Sequence, residues 1–191
     1  MKRTSKLAVP LEAPPRASRR APSVVIVNTG DGKGKSTAAF GTMLRAVARG
    51  WNVCVVQFVK SDRWKVGERD VAARLGVEWW TIGDGFTWDS RDMKRTEAVA
   101  REAWRVGIEK LRSAEYGLIV LDEITYPINW GWIPVADVVR AIGSRPPSVN
   151  VIVTGRDAPA DLIEIADTVT EMRSRKHAFD SGVRAIRGID F

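Results

Sequence analysis

The sequence predicts an α/β protein: a mainly parallel sheet with helices on both faces, built as one domain. Three observations predict it. From residue 24 onward, short apolar runs of strand length alternate with segments of helical periodicity. The first strand-to-helix junction is a glycine-rich loop, Thr29-Gly30-Asp31-Gly32-Lys33-Gly34-Lys35-Ser36-Thr37. A later apolar run, Leu118-Ile119-Val120-Leu121, ends in two acids, Asp122 and Glu123. Parallel strands need crossover connections, which lay helices over the sheet and gather functional groups at the strands' carboxyl ends.

Taken in order, residues 24–28 form the first strand and 36–49 the helix that follows the loop. Strand 53–58 leads to helix 68–75 and a short strand, 77–82. A long helix over 92–114 carries an irregular apolar stripe of Ala98, Ala100, Ala103, Trp104, Gly107, Ile108 and Leu111. Strand 118–121, helix 135–142 and strand 149–154 come next. Helix 159–166 has proline in its first turn, where the missing N–H costs nothing, and 169–172 is a last strand. Gly30, Lys60, Asp122, Thr154 and Arg156 all follow ends of predicted parallel strands, so they are expected to share one crevice.

A chain of 191 residues, 45% of them hydrophobic, suffices for one sizeable core. Its apolar runs are strand-sized, far from the roughly 20 residues that cross a bilayer, and residues 1–22 carry no apolar stretch of the signal-peptide kind. A cytoplasmic protein with no membrane partner is expected. The single cysteine, Cys54, lies in a predicted strand and reads as a small buried apolar group. Net charge is +7, of which residues 1–22 contribute +5, from six basic residues and Glu12. With Pro10, Pro14, Pro15 and Pro22, that stretch reads as a flexible basic tail ahead of a single domain over 23–191. Such a tail is compatible with nucleic acid, with a purely solvated role, or with folding over an anionic ligand.

The loop reads as a phosphate cradle. Glycines turn backbone N–H groups toward an anion, the helix behind presents its positive end, Lys35 reaches between phosphates, and the Ser36 hydroxyl suits Mg²⁺. The strict pattern would place glycine at position 29, where threonine stands. A triphosphate carries about four negative charges, so several cations are needed: Lys33, Lys35 and Arg156 come first, while Arg45 on the first helix reads equally as a solvated residue. Asp122 and Glu123 are where acids that hold Mg²⁺ belong. Strand alternation lets only one of them face the metal, and the sequence leaves open which. Phe86 and Trp88, in Gly83-Asp84-Gly85-Phe86-Thr87-Trp88, read by themselves as loop anchors, with a pocket for a flat apolar ligand as the alternative. Trp130 and Trp132 share their spacing and offer a hydrophobic wall, whereas the lone His177 reads as a surface or capping residue.

Five blocks together resemble the ATP:corrinoid adenosyltransferases of the CobA/CobO/BtuR type. They are residues 30–37 and 83–88, Leu121-Asp122-Glu123-Ile124-Thr125-Tyr126, Thr154-Gly155-Arg156-Asp157-Ala158-Pro159, and Lys176-His177-Ala178-Phe179-Asp180. The resemblance runs from about residue 24 to 191, and in that family the threonine before the loop is usual. It implies a RecA-like P-loop NTPase fold and a homodimer. It implies a transferase in which Co(I) of a corrinoid attacks C5′ of ATP and expels triphosphate, with Mg²⁺, replaceable by Mn²⁺, as cofactor. Cob(II)alamin would be reduced by a flavoprotein. Carried over by position, Gly30, Asp31, Gly32, Lys33, Gly34, Lys35, Ser36 and Thr37 hold the triphosphate, with Arg45 and Arg156 also at the phosphates and Ser36 and Glu123 on the metal. Phe86 and Trp88 match the aromatic pair that strips the lower axial ligand from Co(II), which reverses the anchoring reading.

Two other readings compete. A RecA-like ATPase acting on nucleic acid would suit the loop and the tail, but no basic stripe lies beyond residue 22, so nucleic acid is not the expected partner. A corrinoid carrier with ATP as a regulatory ligand would not need Lys35, Ser36 and Glu123 together.

Overall fold

Every strand of the sheet runs parallel to its neighbours. In the computed structural model, which describes residues 20–60, 67–83 and 92–190, the strands are β1 (Val25–Thr29), β2 (Val53–Phe58), β3 (Glu78–Ile82), β4 (Leu118–Asp122), β5 (Asn150–Thr154) and β6 (Thr168–Glu171). Their order is β3-β2-β4-β5-β1-β6. The register pairs Val27 with Val153 and Val169, and Gln57 with Asp122, so the ends of β1, β5 and β4 reach the same rim.

Central strands covered on both faces should be apolar throughout, and β2 and β4 are buried at every position. Alternation then sorts their side chains. Val53 and Val55 pack with Ala39, Phe40 and Met43 of α1 (Lys35–Val47) and Ala72 of α2 (Gly67–Arg74). Cys54, Val56 and Phe58 point the other way, into the core completed by Ala103, Trp104 and Leu111 of α3 (Met93–Arg112), with Val138 and Ile142 of α5 (Val135–Gly143) and Leu162 of α6 (Ala160–Glu164). The expected helices on both faces are present. Burial pushes the Cys54 thiol up to about 12, as befits an inert core residue. No helix among the described residues is long and apolar enough to cross a membrane.

Three local features depart from the sequence reading. A short helix, α4 (Thr125–Asn129), follows the acids at the end of β4 despite Pro127, which sits in its first turn, where a missing N–H breaks no bond. A 3₁₀ turn, Ala178–Ser181, was not expected, although His177, whose Nδ1 accepts the Phe179 N–H at 3.1 Å, caps it in line with its sequence reading. The long helix ends two residues before the expected 114 and is capped ahead of Met93 by Asp92, whose carboxylate accepts the N–H groups of Lys94 and Arg95. The predicted tail, apart from its last three residues, and the aromatic pair Phe86 and Trp88 lie outside the described residues.

Candidate active site

The loop between β1 and α1 is shaped from below by the end of β6. Gly30 has φ +96°, and a Cβ there would collide with the Met172 backbone. Gly32 N–H donates to the Met172 carbonyl at 2.7 Å, and Met172 N–H to Thr29 O at 2.8 Å, which fixes the loop against the sheet edge. Lys35 Nζ curls into the resulting bowl and donates to the carbonyls of Gly30 and Gly32 at 2.7 and 2.6 Å. Burial first, and the neighbouring Arg156 charge second, hold its ammonium below the usual lysine range.

A crevice opens over this loop, lined by residues 31–37 together with Phe40, Lys60, Glu68, Glu123, Tyr126, Arg156 and Asp190. Of the sequence-predicted residues, Asp31, Gly32, Lys33, Gly34, Lys35, Ser36, Thr37, Glu123 and Arg156 therefore meet in one place. Gly30 lies beneath them through its bond to Lys35. The lining holds four cations, Lys33, Lys35, Lys60 and Arg156, and four acids, Asp31, Glu68, Glu123 and Asp190. Asn129 Nδ2 donates to the carbonyls of Arg156 and Asp157 at 3.3 and 3.0 Å, tying the Arg156 loop to α4.

The structure separates the two acids that the sequence left equivalent. Asp122 is wholly buried: its Oδ2 accepts from Gln57 Nε2 at 2.8 Å and its Oδ1 from Thr154 Oγ1 at 2.7 Å. With both oxygens engaged it is outside the crevice lining and braces the floor. Glu123 N–H donates to the same Thr154 Oγ1 at 2.9 Å, in a left-handed backbone conformation of φ +64°. A non-glycine residue held there costs of order 1–3 kcal/mol, and the kink turns its carboxylate out into the crevice, 4.0 Å from Lys60 Nζ. Burial, chiefly, and the Asp122 charge push the Glu123 carboxyl up to about 7, against the pull of Lys60, Lys35 and Arg156.

Arg45 is not brought to the crevice. It lies ten residues along α1 from Lys35, about 15 Å at the helical rise, and is exposed beside a separate cavity with Ala48, Arg49 and Trp51 at the other end of the sheet. Thr154 lies under the crevice rather than in its lining. Sequence reasoning missed Tyr126, Glu68 and Asp190. Tyr126, which lines the crevice, stood inside a quoted block and begins an aromatic row, with the Trp130 ring at 5.6 Å and Trp132 4.6 Å from that ring. Asp190 carried no local signal.

Among the described residues no group of three or more His, Cys, Asp and Glu could cage a metal. Of the two acids that end β4, only Glu123 lines the crevice, where it is joined by the Ser36 hydroxyl at the start of α1. Such a sparse set of hard oxygens fits Mg²⁺, which keeps waters and shares phosphate oxygens.

A glycine loop between the first strand and first helix, a lysine within it, and an acid after a central parallel strand define a P-loop nucleotide-binding protein. The family model for ATP:corrinoid adenosyltransferase BtuR/CobO/CobP matches residues 22–191. The chain belongs to this family, and it is a transferase of the adenosyl group between ATP and a corrinoid. It is 45% identical over 168 residues to the corrinoid adenosyltransferase of Escherichia coli K12, covering 88% of this chain and 85% of that one. Identity to corrinoid adenosyltransferase CobA of Salmonella typhimurium LT2 is 44% over the same shares, and to the Pseudomonas aeruginosa corrinoid adenosyltransferase 42%, over 88% and 83%.

Proposed function

We propose that residues 23–191 act as a single cytoplasmic adenosyltransferase domain in which the crevice holds the triphosphate of ATP and C5′ faces the corrinoid. The Co(I) electron pair attacks C5′, a cobalt–carbon bond forms, and the C5′–O bond breaks with its electrons leaving on triphosphate. The observation that carries this reading is the family match across residues 22–191 together with the crevice of Lys35, Lys60, Glu123 and Arg156.

Negative charge builds on the departing triphosphate, so fixed cations already in place lower the barrier without reorganising. Lys35, held inside the loop by two carbonyls, is the pre-set group, and Arg156 joins it from a loop whose backbone is tied to Asn129. Ser36 and Glu123 would hold Mg²⁺, which when bound adds positive charge at the phosphates. The kinked backbone at Glu123 and the Thr154 hydroxyl set where that carboxylate sits. The row Tyr126, Trp130 and Trp132 supports an apolar wall for the corrin side of the site. Phe86 and Trp88 are assigned, by resemblance, to excluding the lower axial ligand of Co(II), because an axial ligand stabilises Co(II) over Co(I). A reduced flavoprotein then supplies the electron. The working unit is a homodimer, a reading supported by exposed apolar side chains such as Phe179, 75% exposed.

The test is an anaerobic reaction of chemically reduced corrinoid with Mg·ATP, following the corrinoid spectrum and the phosphate species released. Triphosphate in step with cobalt–carbon bond formation is expected; orthophosphate or pyrophosphate as the direct product overturns the reading.

A further inference from the structure

The crevice lining balances four cations against four acids, yet the ligand read for it brings about four negative charges. One of those acids is placed as a rival to phosphate. Lys33 Nζ, on the loop, forms an ion pair with Asp190 Oδ1 from 157 residues away. The other carboxylate oxygen accepts the Ile186 N–H at 2.7 Å, which aims the group. The segment leading to Asp190 is tied to the same loop, through Gly32 N–H on Met172 O at 2.7 Å and Ser174 N–H on Asp31 Oδ1 at 3.3 Å. Asp190 is thereby held at the loop by its own chain, at high effective concentration. The pair is also exchangeable: the side chain of Lys33 is 54% exposed and that of Asp190 21%, so it belongs to the weak class of ion pairs.

We propose that Asp190 is an affinity-determining residue for the nucleotide, a tethered carboxylate that competes with the polyphosphate for Lys33. Entry of ATP exchanges one anion for another on that lysine, and return of Asp190 favours departure of triphosphate. This rests on reading the crevice as the triphosphate site.

The experiment measures calorimetric binding of inorganic tripolyphosphate to the full chain at low salt, for the unmodified protein, Asp190→Asn, Lys33→Met and the double variant. Asparagine keeps an oxygen for the Ile186 N–H while removing the charge. Asp190→Asn is expected to tighten binding about threefold to tenfold, since it removes the competitor for Lys33. In the Lys33→Met background the same substitution should change affinity by less than about twofold, and added salt should shrink the gain. Unchanged or weaker binding by Asp190→Asn overturns the proposal, as does a gain that persists without Lys33. Absence of tripolyphosphate binding by every variant, the unmodified protein included, instead overturns the triphosphate reading, and the proposal with it.

Discussion

Replacing Thr154 by valine removes one hydroxyl and almost no volume, yet that hydroxyl holds the two acids of the site in their different roles. Its O–H donates to Asp122 Oδ1 at 2.7 Å and its oxygen accepts the Glu123 N–H at 2.9 Å, and both Thr154 and Asp122 are 0% exposed. Valine leaves Asp122 with Gln57 as its remaining partner among the described residues. It also strands the Glu123 N–H. A hydrogen bond to a charged group is worth about 1.5–3 kcal/mol, and an unpaired buried donor costs about 1–3 kcal/mol. The expected loss is therefore about 3–5 kcal/mol, a large part of the roughly 5–15 kcal/mol that holds a domain together. Urea unfolding should show a lower midpoint at unchanged slope. In the folded fraction, kcat/KM for ATP should fall as the Glu123 kink loses its anchor. Thr154→Ser keeps the hydroxyl and should stay within about 1.5 kcal/mol of the unmodified protein. A Thr154→Val loss below about 1 kcal/mol, or equal damage from serine, refutes the reasoning.

Lys35→Ala should abolish turnover while leaving the unfolding midpoint nearly unchanged, as read from cobalt–carbon bond formation and urea melts side by side. Trp88→Ala should spare the reaction of supplied Co(I) far more than the reaction started from Co(II); equal losses from both states would reject the ligand-excluding role. Gly155→Ala should destabilise by about 2 kcal/mol or more, because φ is +141° there and the added Cβ would overlap the Thr125 hydroxyl, measurable as a fall in melting temperature. At the far edge of the sheet, Glu78 accepts from Lys110 at 2.8 Å and from the Tyr116 hydroxyl. Although burial opposes it, hydrogen bonds from Lys110, Tyr116 and Trp80 hold the Glu78 carboxyl below its usual range. A depressed carboxylate pKa gives stability that is present above the ordinary Glu range near 4.5 and lost as pH falls through the folded value. The stability gap between the unmodified protein and Glu78→Gln should accordingly be open at pH 7 and close in acid, by urea titrations across that span.

The fold was open to sequence reading because its signals are local. Apolar runs such as 53–58 and 118–121 give buried parallel strands, and the glycines and lysine of residues 30–37 specify an anion cradle by backbone conformation and charge alone. Helix α4 escaped because Pro127 reads as a breaker unless its place in the first turn is known. For Arg45 the two readings diverge: resemblance assigns it to the phosphates, while in this chain it lies beside a separate cavity at the other end of the sheet.

By itself, then, the sequence determined the class of sheet, the loop, and the four cations, Lys33, Lys35, Lys60 and Arg156, that reach its carboxyl rim. Which of Asp122 and Glu123 lines the crevice was decided by a hydroxyl from β5, 32 residues beyond Asp122, together with a left-handed kink. That Lys33 meets Asp190 was decided by the path of the chain beyond β6. Both are contacts between segments far apart in the sequence, and no local pattern of hydrophobicity, turn chemistry or charge encodes a contact whose partner is fixed only once the sheet is assembled.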